Sequence, residues 1–575
     1  MINRLRSKFI TRYSLLSALP TVTSAVGLLI FLVFLRCIRN DFINLDDPVY
    51  VILNEHVHVL DWTTIRWAFT EYEMFWMPFT WLSFAVDHAI WGLDPKGHHL
   101  TNIVLHSLNA MLVTNLTVCI LEIWQENVAS AREERSQACS RSLLLVCAAL
   151  SGLLFGLHPM RVESVAWVAE RKDVLNGFFG ISSMIVYLNY ARCRCKGEVW
   201  RSYRFYVASF ILMGFSLLAK SMTVTWPVVF LLLDWFPLDR LKRGEIGQLL
   251  LEKLPFFALS AAVSFLAILT VKTAGVMAST SLLPLHDRIF LAMDAITAYI
   301  VSTIYPVNLV PLHHIPANFH PNFAGYWYQA VFLAGITMLC AILLKWSRAA
   351  LAAWLFFLVT LLPVLGIIQQ GPQSMADRFT YIPSIGLAIL TAGGVCRIMT
   401  RLGTRVMFRT AVASAIVMLL LFYIVITESL INVWRNPETF WTRIITTSPT
   451  KLGRAYLLRS VYLREKGRND EALRDLDIAL EIAQRTSLSA IPRVYSTRAG
   501  VYERMGRLQE ALADYSKVIE LSTGQSPGPD SYSPWGDYIA RGEILMKLGR
   551  TAEAQQDFDR AEAIKHPGDF RDIQR

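Results

Sequence analysis

The chain has 575 residues, 54% hydrophobic and 17% charged, with a mean hydropathy of +0.39. That is too apolar for an ordinary soluble enzyme, and apolar runs of roughly 17 to 23 residues recur, each long enough to cross a bilayer core. The formal charge of +10 sits in short loops between those runs, where membrane orientation accounts for it. No basic, aromatic-interleaved surface motif accompanies it, so no nucleic-acid partner is expected.

The first apolar stretch, Leu16 to Ile38, follows Arg4, Arg6, Lys8 and Arg12 with no acid before it, which keeps the amino terminus cytoplasmic. The basic start resembles a signal peptide. The stretch is too long for one and lacks a small-residue cleavage site, so it reads as an uncleaved helix. Further spans are expected near 101–123, 142–158, 174–190, 204–219, 222–236, 254–272, 328–344, 350–368, 381–397 and 409–431, eleven in all. Alternate loops then carry the basic residues: Arg192 to Arg204, Arg240 to Arg243, Lys345 with Arg348, and Arg397 to Arg409. The first loop on the other side, Asp41 to His98, holds nine acids against Arg66 and Lys96. A segment at 289–304, interrupted by Asp294, is expected to lie along the surface or to dip in and return. The eight cysteines, Cys139, Cys193 and Cys195 among them in cytoplasmic loops, form no disulfide framework. Cys193-x-Cys195 alone is a weak metal motif.

After residue 431 the composition becomes that of a charged, helical, water-facing domain. Gly467-Arg468 with Glu471-Ala472, Gly506-Arg507 with Glu510-Ala511, and Gly549-Arg550 with Glu553-Ala554 each mark a turn between two amphipathic helices. With Tyr502, Tyr515, Ala561 and Pro567 near consensus positions, they read as about three tetratricopeptide (TPR) repeats with enlarged connections, notably Gly524 to Trp535. The expected fold is therefore all-α: a polytopic helical membrane domain over 1–431 and a C-terminal TPR solenoid over 432–575. The odd span number places the repeats outside the cytoplasm, periplasmic or luminal.

Candidate chemistry concentrates on that same side. Asp46-Asp47-Pro48 lies a few residues beyond the first span. A carboxylate there can accept a proton from an incoming hydroxyl while its neighbour orients it or binds a metal. A turn in which Asp before Pro accepts backbone hydrogen bonds is the competing reading. The stretch from His158 to Asp173 crowds Arg161, Glu163, Glu170, Arg171, Lys172 and Asp173 around a helix start, where phosphate oxygens bind readily; a solvated interfacial helix is the alternative. Lys220 and Arg378 interrupt apolar surroundings, and a lipid phosphate is one partner for such cations, although snorkelling explains either taken singly. His98, His99 and His106 head the second span; hydrogen-bonded burial is favoured over metal ligation. His313, His314 and His320 carry the same balance. No nucleotide-binding loop or nucleophile elbow is present.

Taken together, Asp46-Asp47-Pro-Val-Tyr50, Trp76-Met-Pro-Phe-Thr-Trp81, Gly97-His-His-Leu-Thr-Asn102, the His158–Asp173 run, Leu218-Ala-Lys220 and Met375-Ala-Asp-Arg-Phe-Thr-Tyr381 resemble the transmembrane and TPR-containing (TMTC) protein O-mannosyltransferases and their bacterial relatives, over about the whole chain. The resemblance implies a GT-C glycosyltransferase fold, an acid in the first outer loop, a polyprenyl-phosphate sugar donor and transfer to protein hydroxyls. Only three repeats are discernible, which favours a bacterial-type protein in an inner membrane.

The expectation that follows is an inverting transferase, with mannose as the sugar the resemblance suggests. Asp46 or Asp47 is the base, and Arg161, Lys172, Arg378 and Lys220 contact the donor phosphate. Glu163, His158, His98 and His99 support them. Membrane lipids surround the spans, the TPR groove presents an acceptor polypeptide, and a divalent metal is left open. A membrane-anchored TPR scaffold for envelope or secretion assembly is the rival, and a GT-C enzyme acting on a lipid or glycan is a third possibility.

Overall fold

A computed structural model describes residues 2–70, 75–131, 140–242, 244–273, 284–314, 323–367, 373–403, 405–447, 452–486, 488–522 and 532–564. Cys139, His320, Pro567 and residues 523–531 of the enlarged connection lie outside them. The chain divides into two compact units, Met1–Arg435 and Asn436–Arg575.

The first unit is built from helices α1 (Ile2–Phe34), α2 (Trp62–Thr70), α3 (Pro78–Trp91), α4 (Pro95–Ala131), α5 (Arg141–Gly156), α6 (Val162–Ala166), α7 (Arg171–Cys195), α8 (Val199–Ala219), α9 (Trp226–Trp235), α10 (Ile246–Thr273), α11 (Leu285–Ile304), α12 (Phe323–Leu343), α13 (Ala349–Leu361), α14 (Ser384–Leu402) and α15 (Val406–Val433). Two short strands, β1 (His313–His314) and β2 (Gln373–Met375), pair antiparallel. All eleven apolar stretches read from the sequence are helical over most of their described residues. Among the described residues, eight helices are long and apolar enough to cross a membrane unaided, and a ninth crossing results if α5 and the segment Pro159–Ala166, bent by 56°, count as one broken span. The other two stretches, Ser221–Trp235 and Ala349–Val364, form shorter apolar helices. The 289–304 segment is helix α11; it buries Leu291, Ala295 and Tyr299 and packs along α12.

Between apolar helices in a bilayer, close van der Waals fit replaces the hydrophobic drive, and small residues permit it. α4 packs against α1, α5 and α7, and the α5 contact is made by Gly152 and Gly156, one turn apart. A Cβ on Gly152 would collide with the Thr114 hydroxyl and lie 2.9 Å from the Ala110 carbonyl. A Cβ on Gly156 would lie 2.7 Å from Ile30 of α1. These two glycines bring three backbones together and so fix where α5 ends and the break at His158-Pro159 begins.

The second unit comprises α16 (Pro437–Thr447) followed by three helix pairs: α17 (Gly453–Glu465) with α18 (Asn469–Thr486), α19 (Ile491–Arg504) with α20 (Leu508–Ser522), and α21 (Trp535–Lys547) with α22 (Thr551–Ile564). Gly467, Gly506 and Gly549 follow α17, α19 and α21 with φ of +76°, +73° and +78°, the left-handed cap that glycine adopts without a Cβ penalty. Each pair is clamped by an arginine and an aspartate sixteen residues apart: Arg459 with Asp475, Arg498 with Asp514, and Arg541 with Asp557, the last through bonds of 2.8 and 2.6 Å. Small residues at equivalent positions, Ala472, Ala511 and Ala554, are fully buried between the helices.

Candidate active site

The paired aspartates stand at the start of a helical turn over Pro48–Ile52, where proline's missing N–H and fixed φ suit the first position. Their surroundings differ. Asp47 is 1% exposed; its Oδ2 accepts the Ile43 N–H and its Oδ1 the Ala169 N–H, each at 2.8 Å. Burial pushes its carboxyl up to about 7, with the two backbone donors and the Lys172 charge opposing and the Asp46 charge reinforcing the shift. Asp46 is half-buried and lines a cavity of about 240 Å³. The turn thus separates the two aspartates: Asp47 is hydrogen-bonded to backbone, and Asp46 is presented to a cavity.

The break after α5 supplies the next group. Pro159 cannot donate a helical hydrogen bond and disfavours helix at the residue before it. His158 caps the new turn instead, its Nδ1 accepting the Met160 N–H at 3.3 Å. The chain then passes through α6 and a tight turn at Val168–Glu170 before α7 starts at Arg171. Glu163, Glu170 and Asp173 on this path are 3%, 1% and 2% exposed. A buried carboxylate is costly unless a cation meets it, and here each is met. Glu170 lies 3.1 Å from Lys172, 3.4 Å from Lys220 and 3.1 Å from Arg378. Asp173 takes Lys220 at 2.5 Å and the Ser164 hydroxyl at 3.0 Å. Glu163 accepts the Arg378 guanidinium and, at 3.0 Å, the Arg378 backbone N–H. Gln373 completes the hold on Arg378 at 2.8 Å.

One polar face of α4 locks these segments in register. Asn102, His106 and Asn109 recur at helical spacing. Asn102 donates to the carbonyls of Val165 and Trp167, at 3.3 and 3.2 Å, and accepts from Arg171. His106 bonds the Gly156 carbonyl at 3.0 Å and the Tyr381 hydroxyl at 2.8 Å. Asn109 joins the Tyr381 hydroxyl, at 2.9 Å, to the Val174 carbonyl, at 2.8 Å. The 375–381 and 158–173 segments are thus pinned to the same helix. Arg171 anchors the bundle further, bonding Asp87 at 2.6 Å and the His98 carbonyl at 2.7 Å.

The cavity is lined by Asp46, Tyr50, Glu170, Lys172, Lys220 and Arg378, with Trp76, Met77, Phe379 and residues of α10 and the α13 end around them. Of the four cations expected at a phosphate, Lys172, Lys220 and Arg378 converge there. Arg161 does not line it: its guanidinium is buried in the turn after α5, donates to the Thr380 hydroxyl at 2.5 Å and sits over the rings of Phe155 and Tyr381. Glu163 serves behind the lining as the seat of Arg378. His98, His99 and His158 are buried outside the lining; His98 bonds the Gly92 carbonyl at 3.1 Å, and His158 bonds the Thr303 carbonyl at 3.0 Å. Among the described residues no three His, Cys, Asp or Glu side chains are grouped to hold a metal ion; the cavity acids are arranged around cations instead. Sequence reasoning missed Tyr50, Asn102 and Asn109 as site-builders, although amides at helical spacing in an apolar helix carried the signal for the last two.

The tetratricopeptide repeat family model matches residues 492–524, the α19–α20 pair. The human protein O-mannosyl-transferase TMTC2 is 28% identical over 240 residues, 39% of this chain and 25% of the relative. The human and mouse TMTC1 proteins of the same designation are 22% and 23% identical over 506 and 594 residues, covering 78% and 83% of this chain and 54% and 58% of theirs. The chain thus spans from a quarter to somewhat over half the length of these relatives.

Proposed function

We propose that this homologue of the TMTC protein O-mannosyl-transferases is a multi-pass membrane glycosyltransferase of GT-C type, moving a sugar from a polyprenyl-phosphate donor to Ser or Thr hydroxyls of proteins on the non-cytoplasmic face. The observation that carries the reading is the meeting of the Asp46 carboxylate with three cations, Lys172, Lys220 and Arg378, around a single cavity in a helical membrane unit. The names of the homologues support the reaction class.

In this reading Asp46 accepts the hydroxyl proton as the acceptor oxygen attacks the anomeric carbon. The bond from that carbon to the phosphate oxygen breaks with inversion, and the electron pair leaves on the polyprenyl phosphate. Lys172, Lys220 and Arg378 stabilise the growing phosphate charge, an effect strengthened by the low dielectric of a buried site. Glu163 and Glu170 hold the guanidinium of Arg378 in place. Asp47 fixes the loop so that Asp46 reaches the cavity. The helix pairs of the second unit supply a surface for an extended acceptor polypeptide.

Purified full-length protein, given a polyprenyl-phosphate mannose and a Ser/Thr-rich peptide, should release sugar to the peptide. The Asp46→Asn, Asp47→Asn double variant should not. Equal turnover by the double variant refutes the assignment.

A further inference from the structure

The first unit contains a second, larger cavity, of about 460 Å³, between α4, α7, α9, α13 and α14. It extends along these helices away from the cavity that Asp46 lines. α7 contributes Lys172 to the first cavity and Met184, twelve residues on, to the second; α14 begins just after Arg378 and reaches the second with Gly393 and Arg397. α13 runs the other way, with Ala349 at the second cavity and Pro363, just past its end, at the first.

Among the described residues the lining is apolar but for Ser347, Arg397 and Arg401, and the two arginines are its only charged residues. Both are exposed, and among the described residues neither is ion-paired. Gly386, Ile389, Gly393, Arg397 and Arg401 follow one another at three- and four-residue spacing, so one face of α14 is apolar and then cationic. From Gly386 to Arg397 that face runs about 16 Å at the helical rise, close to the ~15 Å depth of one leaflet's hydrocarbon. Trp346, exposed in the lining just before α13, is of the type that settles at headgroup level. A Cβ on Gly394 would meet no atom within 4 Å, so the groove floor is open.

The geometry points to a binding site for an anionic phospholipid in the leaflet on the basic side of the protein: acyl chain along the α14 groove, phosphate between Arg397 and Arg401. Basic pockets between membrane helices take anionic headgroups. Among its described residues the groove carries no acid to repel the phosphate.

The test uses the full chain in detergent, with native mass spectrometry counting retained phosphatidylglycerol and phosphatidylcholine of matched chains. Phosphatidylglycerol should be retained about tenfold better. An Arg397→Gln, Arg401→Gln variant should bring the two lipids level, and Gly394→Leu, which fills the open groove, should lower retention of both. Monodispersity and helical content unchanged in each variant show that the fold persists. Equal retention of the two lipids by the unaltered protein overturns the site, as does a preference that survives loss of both arginines or a Gly394→Leu protein that binds as before. Competition by glycerophosphate alone at equal concentration overturns the lipid assignment, because it shows a site for the free anion.

Discussion

The Asp47 carboxylate accepts the Ala169 N–H at 2.8 Å across 122 residues of chain. This bond ties the loop after α1 to the turn that carries Glu170, and it sets Asp46, the next residue back, at the cavity. Changing the two aspartates separately should therefore give different results. Asp46→Asn should lower transfer by about a hundredfold or more with the melting temperature unchanged, the range for loss of a positioned base. Asp47→Ala leaves two N–H groups without their acceptor and should cost about 1–3 kcal/mol of stability, visible as a lower midpoint in detergent.

The same residue gives a pH signature. Burial raises the Asp47 carboxyl from its ordinary 3.8 to about 7, so between these values the folded protein holds a proton that the unfolded chain has released. Its contribution is full below the unfolded value, falls as pH rises and is lost above about 7, a change of a few kcal/mol. The melting temperature of the unaltered protein, measured relative to Asp47→Asn from pH 5 to 9, should decline to near pH 7 and then level. A difference independent of pH contradicts the buried, proton-holding carboxyl.

Arg378 joins Glu163 and Glu170, and its removal strands Glu163, while Glu170 keeps Lys172 and Lys220. Arg378→Ala should destabilise the first unit by about 3–5 kcal/mol, the cost of breaking a buried pair from one side. Arg378→Lys keeps the charge but loses the forked geometry; it should stay folded and raise the KM for the lipid donor by about tenfold, one charged hydrogen bond's worth. Donor titration of the two variants separates the structural and binding roles.

Gly152 sits against backbone, so even one methyl must push α4 and α5 apart. Gly152→Ala should cost about 1–3 kcal/mol through overpacking, and Gly394→Ala, facing open space, should cost less than about 0.5 kcal/mol. Thermal unfolding of both variants checks this, and activity should fall with Gly152→Ala because α5 delivers the Glu163 segment.

Helix positions were legible because runs of apolar residues long enough to span a bilayer leave few other folds, and the glycine-arginine turns at 467, 506 and 549 announced the helix pairs. The count of crossings was less so: hydropathy does not reveal that Pro159 bends one segment by 56° or that Ser221–Trp235 is short. At the site, the sequence presented Asp46 and Asp47 as equals, since adjacent side chains are distinguished by the turn that Pro48 starts. It also grouped Arg161 with Lys172, eleven residues on, although the helix breaks at Trp167 between them. Charges that look like neighbours on one helix find their partners far away: Glu163 pairs across 215 residues with Arg378, and Glu170 across 50 with Lys220.

Glu170 stands among Lys172, Lys220 and Arg378 at 3.1 to 3.4 Å, a built-in counter-anion. In the proposed reaction an entering donor phosphate would share those three cations with a carboxylate that never leaves, so capture would be weaker than bare charges allow. Departure of the spent carrier would be correspondingly easy, because no stranded positive charge would be left behind to hold it.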